Sequence, residues 1–281
     1  MSIKKILNLF LFSSILLLFN SCAQLPIVSN SFTWPVDSFV KYETALYRQV
    51  CTPEDPDLMS SHCYVRVSGA VGSGSIVAKS FDGAYILTAA HVCDKSGEIE
   101  RIKKIDKEFG IDANPKYIDR QFVYDIDLFK YKVEIVGYDW ELDSCVVFAW
   151  GLFNQPLQIS NKPPKIGDKV FNIAAPAGFM TKDMVPLFDG YYIGNFDSTT
   201  AVYTIPVIGG SSGSPVLDSR GHLIGLIYAR HTNFHHIAIS PKYKNLIKFM
   251  FDNIKEHARK KAKKHEIDSD RSIIFKFNEK Q

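Results

Sequence analysis

Three short segments of the chain hold the residue types that nucleophilic hydrolysis needs. Gly210-Ser211-Ser212-Gly213-Ser214-Pro215 sets a serine in a glycine-rich turn, where the flanking glycines relax the backbone restrictions and leave the approach to the hydroxyl open. Upstream lie Leu87-Thr88-Ala89-Ala90-His91 and Asp139-Trp140-Glu141-Leu142-Asp143, so the chain order is histidine, acid, serine. In such a set Ser212 attacks, His91 takes its proton and Asp143 holds the imidazole in the required tautomer. The main-chain N–H groups of Gly210 and Ser212 can point at one oxyanion, and losing a donor of this kind typically costs about 3–4 kcal/mol of transition-state stabilisation. Small residues before His91 let the ring face a neighbouring layer. Asp143 opens the run Ser144-Cys145-Val146-Val147 and so sits at a strand start. Asp139 is the competing acid and reads as a turn residue before Trp140.

The same serines admit a second reading. Gly209-Gly210-Ser211-Ser212-Gly213 fits the G-x-S-x-G elbow of the α/β-hydrolases, with Ser211 as nucleophile and His231 or His235 as base. That elbow needs a helix directly after the serine, whereas Pro215-Val216-Leu217 followed by an Arg220-Gly221 turn reads as a hairpin. His231, His235 and His236 have an i, i+4 spacing that would suit zinc on a helix, but Arg230 to Phe234 reads as a loop. No metal and no cofactor is expected.

The elements that must position these groups are short runs rich in β-branched and aromatic residues: Cys63 to Val67, Ser75 to Ala78, Ala84 to Thr88, Phe129 to Val136, Cys145 to Trp150, Lys169 to Ile173, Ala201 to Val207, Pro215 to Leu217, Leu223 to Tyr228 and His236 to Ile239. With no helices alternating between them, they imply an all-β sandwich or pair of barrels. Residues 96–121 are charged and sparsely apolar, which suggests a long surface insertion. From Pro241 to about His257, Leu246, Ile247, Phe249, Met250 and Ile254 recur at helical spacing, an amphipathic helix docked on the body. The expected divisions are a signal at 1–22, a linker at 23–45, the body at 46–257 and a basic tail at 258–281. The tail run Arg259-Lys260-Lys261-Ala262-Lys263-Lys264 reads first as a solvated helix end or flexible tail, with attraction to an anionic surface as the other reading.

The N-terminus carries Lys4-Lys5 and then the apolar run Ile6 to Phe19, broken by Asn8, Ser13 and Ser14, which reads as a secretory signal. Ser21-Cys22-Ala23 leaves two endings open: lipidation at Cys22, or cleavage after Ala23. Phe19 departs from the aliphatic residue usual in a lipoprotein signal. The expected location is the periplasm or cell envelope as a lipoprotein, with secretion as the alternative. At 46% hydrophobic and 22% charged residues, the 281-residue chain is globular, not disordered. Net charge is +3, and removing Lys4 and Lys5 leaves +1, so charge alone names no partner and no nucleic acid is expected. Beyond Cys22 the chain has Cys51, Cys63, Cys93 and Cys145, an even set in an exported protein. Cys51 with Cys63 is the first choice for a disulfide and Cys63 with Cys93 the alternative, while Cys145 reads as core.

Four segments together resemble the chymotrypsin-fold, trypsin-like (PA clan) serine proteases, and among them the HtrA-like branch. They are Gly74-Ser75-Ile76-Val77 with the His91 motif; Asp139 to Val147; Ile166-Gly167-Asp168-Lys169-Val170 with Ala175-Pro176-Ala177-Gly178; and Gly210 to Pro215 with Gly221-His222-Leu223-Ile224-Gly225. The resemblance implies two antiparallel six-stranded β-barrels with the site in the cleft between them, His91 and Asp143 from the first and Ser212 from the second. It implies that Tyr228, Ala229 and Arg230 lie along the substrate backbone. It also puts Pro206 at the base of the primary pocket, with walls from Val207, Ile208 and the strand around Ala238. None of these is acidic, which favours a small or apolar side chain over arginine or lysine. Ser211 stands where pancreatic-type enzymes have an aspartate that captures a new N-terminus, so that route of activation is not implied. Too few residues follow the helix for a PDZ domain. The activity implied is an exported serine endopeptidase acting on protein or peptide through an acyl-enzyme, with the membrane as a partner if Cys22 is lipidated. The rival is a protease-like surface lipoprotein that binds a peptide or envelope component without cutting it, its cleft covered by the 96–121 insertion.

Overall fold

The structure, a computed structural model, describes residues 35–51, 63–111 and 115–278, with side chains of the C-terminal helix through Lys263. The expected signal at 1–22, Cys22 and most of the linker lie outside the described residues.

Alternation starts the fold. From Phe39, the side chains of Val40, Tyr42, Thr44 and Leu46 are buried while Lys41, Glu43 and Ala45 are less so, the period of two that puts one face of a strand on a core. This is β1 (Phe39–Gln49), and it pairs with β2 (Tyr64–Ser80) on one side and β4 (Tyr117–Tyr124) on the other. The linker expected to reach residue 45 therefore ends before Phe39. With β3 (Gly83–Thr88), β5 (Lys130–Asp139) and β6 (Ser144–Trp150) these strands close into a six-stranded antiparallel barrel, order β1-β2-β3-β6-β5-β4. β3 is buried throughout and β6 at all but Trp150, which is why both read as continuous apolar runs.

The expected insertion at 96–121 is in part a barrel wall, since β4 begins within it. Before β4 come the single-turn helix α1 (Ala90–Cys93) and the helix α2 (Ser96–Glu108). Few apolar residues mark α2 because it is held largely by polar contacts. Ile102 is buried, and Asp106 accepts from Arg48 at 2.5 Å and from the Tyr117 hydroxyl at 2.6 Å.

The second half is β7 (Lys169–Ile173), β8 (Leu187–Asn195), β9 (Thr200–Tyr203), β10 (Pro215–Leu217), β11 (Leu223–Leu226), β12 (Ala229–Arg230) and β13 (Ala238–Pro241), in the order β11-β10-β7-β8-β9-β13-β12. The chymotrypsin-like fold is thus present, but the second sheet has seven strands and is open, where six in a closed barrel are expected. Closure would require β12 to pair with β11. β12 has two residues, and the free edge of β11 is taken by the inter-half linker, where Ile159 bridges Leu223 and the Ser160 N–H donates to Leu223 O at 3.1 Å.

The C-terminal helix α3 (Tyr243–Asn278) buries Leu246 and Met250 in an apolar cluster that also holds Leu87 and Phe148 of the barrel and Leu217 and Leu223 of the sheet. It does not stop at 257. Lys261, in the expected tail, donates to both carboxylate oxygens of Asp82 at 2.7 and 2.6 Å and lies 3.9 Å from the Phe148 ring centroid. His257 sits between the Tyr85 hydroxyl at 3.1 Å and Glu134 at 3.3 Å. Among the described residues, no helix is long and apolar enough to cross a membrane.

Two disulfides are present, Cys51–Cys63 and Cys93–Cys145. The first is the preferred pairing from sequence. The second rules out Cys63 with Cys93 and shows that Cys145, though fully buried, is not simply core.

Candidate active site

His91 lies in α1, directly after β3, and Asp143 lies in the turn from β5 to β6. The carboxylate grips the histidine twice: Oδ2 is 2.7 Å from the ring Nδ1, and Oδ1 accepts the His91 main-chain N–H at 3.0 Å. Ring and backbone are fixed by one group, which leaves Nε2 as the acceptor for a proton. Asp143 has φ +43°, a conformation that non-glycine residues adopt at a cost of order 1–3 kcal/mol and that concentrates at functional sites. Asp139 Oδ1 instead accepts the N–H groups of Glu141 and Leu142 at 2.8 and 3.0 Å, the turn role expected of it.

Behind α1, two buried side chains take up its last carbonyls. Lys95 Nζ donates to His91 O at 2.9 Å, and Gln121 Nε2 donates to Cys93 O at 2.6 Å. Desolvation holds the Lys95 amine below its ordinary value, against the opposing pull of Glu98, Asp119 and Asp94.

The loop that carries Ser212 is held through its peptide groups. Gly209 O accepts from Ala177 N at 2.6 Å, Gly210 O from the Ser73 hydroxyl at 2.8 Å, Ser211 O from Ser214 N at 3.0 Å, and Ser212 O from Ser73 N at 2.7 Å. All four carbonyls are engaged by protein donors. In a trans peptide the N–H points opposite the C=O, so anchoring Gly209 O and Ser211 O aims the Gly210 and Ser212 N–H groups the other way. Among the described residues neither of these N–H groups has a protein acceptor, whereas Ser211 N donates to Ile208 O and Gly213 N to Ile227 O. The Gly210 and Ser212 N–H groups are thus left unbonded on either side of Ser211.

Glycine is required at both ends of this turn. Gly210 has φ +94°, and a Cβ there would lie 2.5 Å from Ala175 O. Gly213 has φ +88°, and its Cβ would run into Ser73 O and the Thr88 hydroxyl. The loop is thereby pressed against the segment that leads to His91: a Cβ on Gly72 would touch both Val92 and Ser212 O. Ser212 is half-buried, and its Oγ makes no hydrogen bond to His91 or any other described residue. Ser211 points inward, 1% exposed and with its hydroxyl unpartnered among the described residues. A substrate cannot reach it, and the strand β10 follows it where the G-x-S-x-G elbow needs a helix. The Ser211 reading falls on both counts.

The sequence pattern of the trypsin-like peptidase domain matches residues 72–226, more than half the chain and inclusive of His91, Asp143 and Ser212. The chain belongs to the trypsin-like peptidase family. Its fold is similar to that of the serine endoprotease from Yersinia pestis, at TM-score 0.53 and 18% identity over 79% of this chain and 64% of that one. It is similar also to the active form of the Rv3671c protease from M. tuberculosis, at TM-score 0.53 and 16% identity over 78% of this chain and 82% of that one. This chain therefore spans less than two thirds of the Yersinia pestis protein. No curated protein matches it.

In this trypsin-like peptidase two of the remaining residues expected at the site lie on the open sheet, and Tyr228 and Pro206 lie in the segments beside its strands. Ala229 and Arg230 form β12, an edge strand that among the described residues pairs only with β13, so its other side is open there to a further strand. Tyr228, just before it, packs against the barrel core. Burial raises its phenol above the ordinary 10.0, a bond to Thr200 opposes this, and the nearby Asp143 charge adds to it. Pro206 is half-buried, and the next N–H, of Val207, donates to His235 O at 2.9 Å. The loop histidines make local bonds, His235 Nδ1 with Arg230 at 2.5 Å and His231 Nδ1 with the Asn233 N–H at 3.2 Å.

Sequence reasoning did not pick out Ser73, Lys95 or Gln121, and it held Ala177 only as part of the segment Ala175 to Gly178, with no role of its own. Ala177 carried one usable signal, its place between Pro176 and Gly178, and it does adopt a turn with φ +52°.

Proposed function

We propose that the protein is a serine endopeptidase using His91, Asp143 and Ser212. The observation that carries this is the pairing of the doubly held His91–Asp143 unit with two unbonded N–H groups on Gly210 and Ser212. An extended peptide adds along the free edge of β12, beside Tyr228, Ala229 and Arg230. His91 Nε2 removes the Ser212 proton as Oγ attacks the scissile carbonyl carbon, and the oxygen, now negative, is met by the Gly210 and Ser212 N–H groups. Asp143 stabilises the imidazolium so formed. His91 returns the proton to the leaving amine, which departs and leaves the acyl group on Ser212. Water, deprotonated by His91, then releases the acid. The side chain before the cut lies toward Pro206, Val207 and Ile208, where the lack of an acid favours small or apolar residues.

The setting is proposed to be extracytoplasmic, with the chain anchored through lipidated Cys22 or released after Ala23. Two disulfides support an oxidising compartment. The missing Ser212–His91 hydrogen bond is the one observation that favours a binding-only protein, although such bonds often tighten only when substrate is present. Incubating the purified protein with a proteome-derived peptide library and sequencing the new N-termini tests the proposal. Cleavage after small or apolar residues, lost in Ser212→Ala, is the expected result. Cleavage after arginine and lysine would contradict the pocket assignment, and no cleavage would contradict the activity.

A further inference from the structure

One residue of the barrel holds the oxyanion loop of the opposite half. Ser73 lies on β2, fully buried, and all its polar groups are used. Its N–H donates to Ser212 O at 2.7 Å and its hydroxyl to Gly210 O at 2.8 Å; the same hydroxyl accepts the Ala175 N–H at 2.9 Å, and its carbonyl accepts the Thr88 hydroxyl at 2.8 Å. The carbonyls it grips belong to Gly210 and Ser212, the two residues whose own N–H groups are left free.

The need for such a grip follows from the sequence of the loop. Gly209-Gly210 is a pair of residues without a Cβ, so sterics alone do not choose the direction of their peptide groups. A restraint must come from outside. Ala177 N supplies part of it, on Gly209 O, and Ser73 is the partner of the next carbonyl. By also holding Ala175, two residues before Ala177, the same hydroxyl ties the two loops that frame the site to each other and to the barrel.

We propose that Ser73 is a positioning residue that sets the oxyanion site across the junction of barrel and sheet, so that the site exists only when the two halves are docked in register. This rests on the proposed peptidase activity. Ser73→Ala removes the hydroxyl and keeps the main-chain N–H. Losing an oxyanion donor outright lowers kcat by about 100- to 1,000-fold, and loss of its support is expected to lower kcat by roughly 10- to 100-fold with KM within about twofold. Affinity for a peptide boronate, which bonds Ser212 and places a negative oxygen at the site, falls by the same factor, while affinity for a non-covalent product peptide is unchanged. Ser73→Thr, which keeps the hydroxyl, recovers part of the loss. Amide hydrogen exchange at Ser211, whose N–H shares a peptide group with Gly210 O, quickens in Ser73→Ala, and this readout needs no turnover.

Unchanged kcat and boronate affinity in Ser73→Ala would overturn the inference, as would equal losses for boronate and product peptide, which indicate general loosening. If the wild-type protein neither cleaves peptide nor binds the boronate, the peptidase reading fails. The exchange comparison then decides the tether by itself: unchanged exchange overturns it, and faster exchange supports it.

Discussion

Cys93 lies two residues beyond His91, Cys145 lies two residues beyond Asp143, and the disulfide between them closes a covalent ring around the His91–Asp143 pair. The link joins α1 to the start of β6. Any separation of histidine and acid must therefore stretch a bonded path or unfold one of those elements.

Replacing both cysteines by alanine should cost stability and activity together. A loop closed over a separation of 52 residues corresponds to about 4 kcal/mol of unfolded-state entropy on the chain-entropy scale, with two buried side chains shortened as well. Thermal unfolding of the double variant against wild type measures the first effect. For the second, kcat is expected to fall at least about tenfold with KM little changed, because a drifting base weakens the transition state more than substrate binding. An unchanged kcat would show that the two carboxylate contacts suffice without the covalent link.

Gly213→Ala and Gly167→Ala separate strain from collision. The two glycines share nearly the same φ, +88° and +89°, but a Cβ on Gly167 meets nothing within 4 Å while one on Gly213 meets backbone. Gly167→Ala should show only the backbone cost, about 1–2 kcal/mol, with activity retained. Gly213→Ala should be more destabilised and lose about 100-fold or more in activity, since Ser73 O cannot move without disturbing the Gly210 and Ser212 carbonyls. Thermal unfolding and turnover of the two variants check this.

The middle of α3, around Lys261, should come loose in acid. Desolvation raises the Asp82 carboxyl, but hydrogen bonds from Lys261 and Ser80 and the Lys261 charge outweigh it and hold the group below its ordinary 3.8. A depressed folded-state value means the contribution is fully present above 3.8 and is lost as pH falls through the folded value. Hydrogen exchange over residues 257–263 should quicken on that descent in wild type. In Asp82→Asn the segment should be looser at neutral pH and should lack that step. The neighbouring His257, Tyr85 and Glu134 contacts are common to both proteins, so the difference isolates Asp82.

How much of this was legible in the sequence depended on the range of the contacts involved. His91, Asp143 and the Ser212 turn stand out because each motif is local: a strand end, a strand start and a glycine-flanked serine. Strands buried on both faces, such as β3 and β6, are equally plain. β1 was missed although Val40, Tyr42, Thr44 and Leu46 alternate properly, because Pro26 and Pro35 suggest a tether running on past it. β4 was masked by the charges of Asp119 and Arg120, and β8 by Gly190 and Gly194. The open second sheet could not be foreseen, since it follows from β12 having only two residues and from Ile159 lying on the edge of β11. Ser73 and Lys95 act through bonds to residues far away or to main-chain atoms, and their own neighbours in sequence carry no mark of it.

Labelling of the purified full chain with a fluorophosphonate probe, followed by mapping of the modified peptide, bears most directly on Ser212 as an activated nucleophile. The expected result is one adduct, on Ser212, retained in Ser211→Ala and absent from Ser212→Ala and from His91→Ala. No adduct on the wild-type protein, or an adduct that persists in Ser212→Ala, would contradict it.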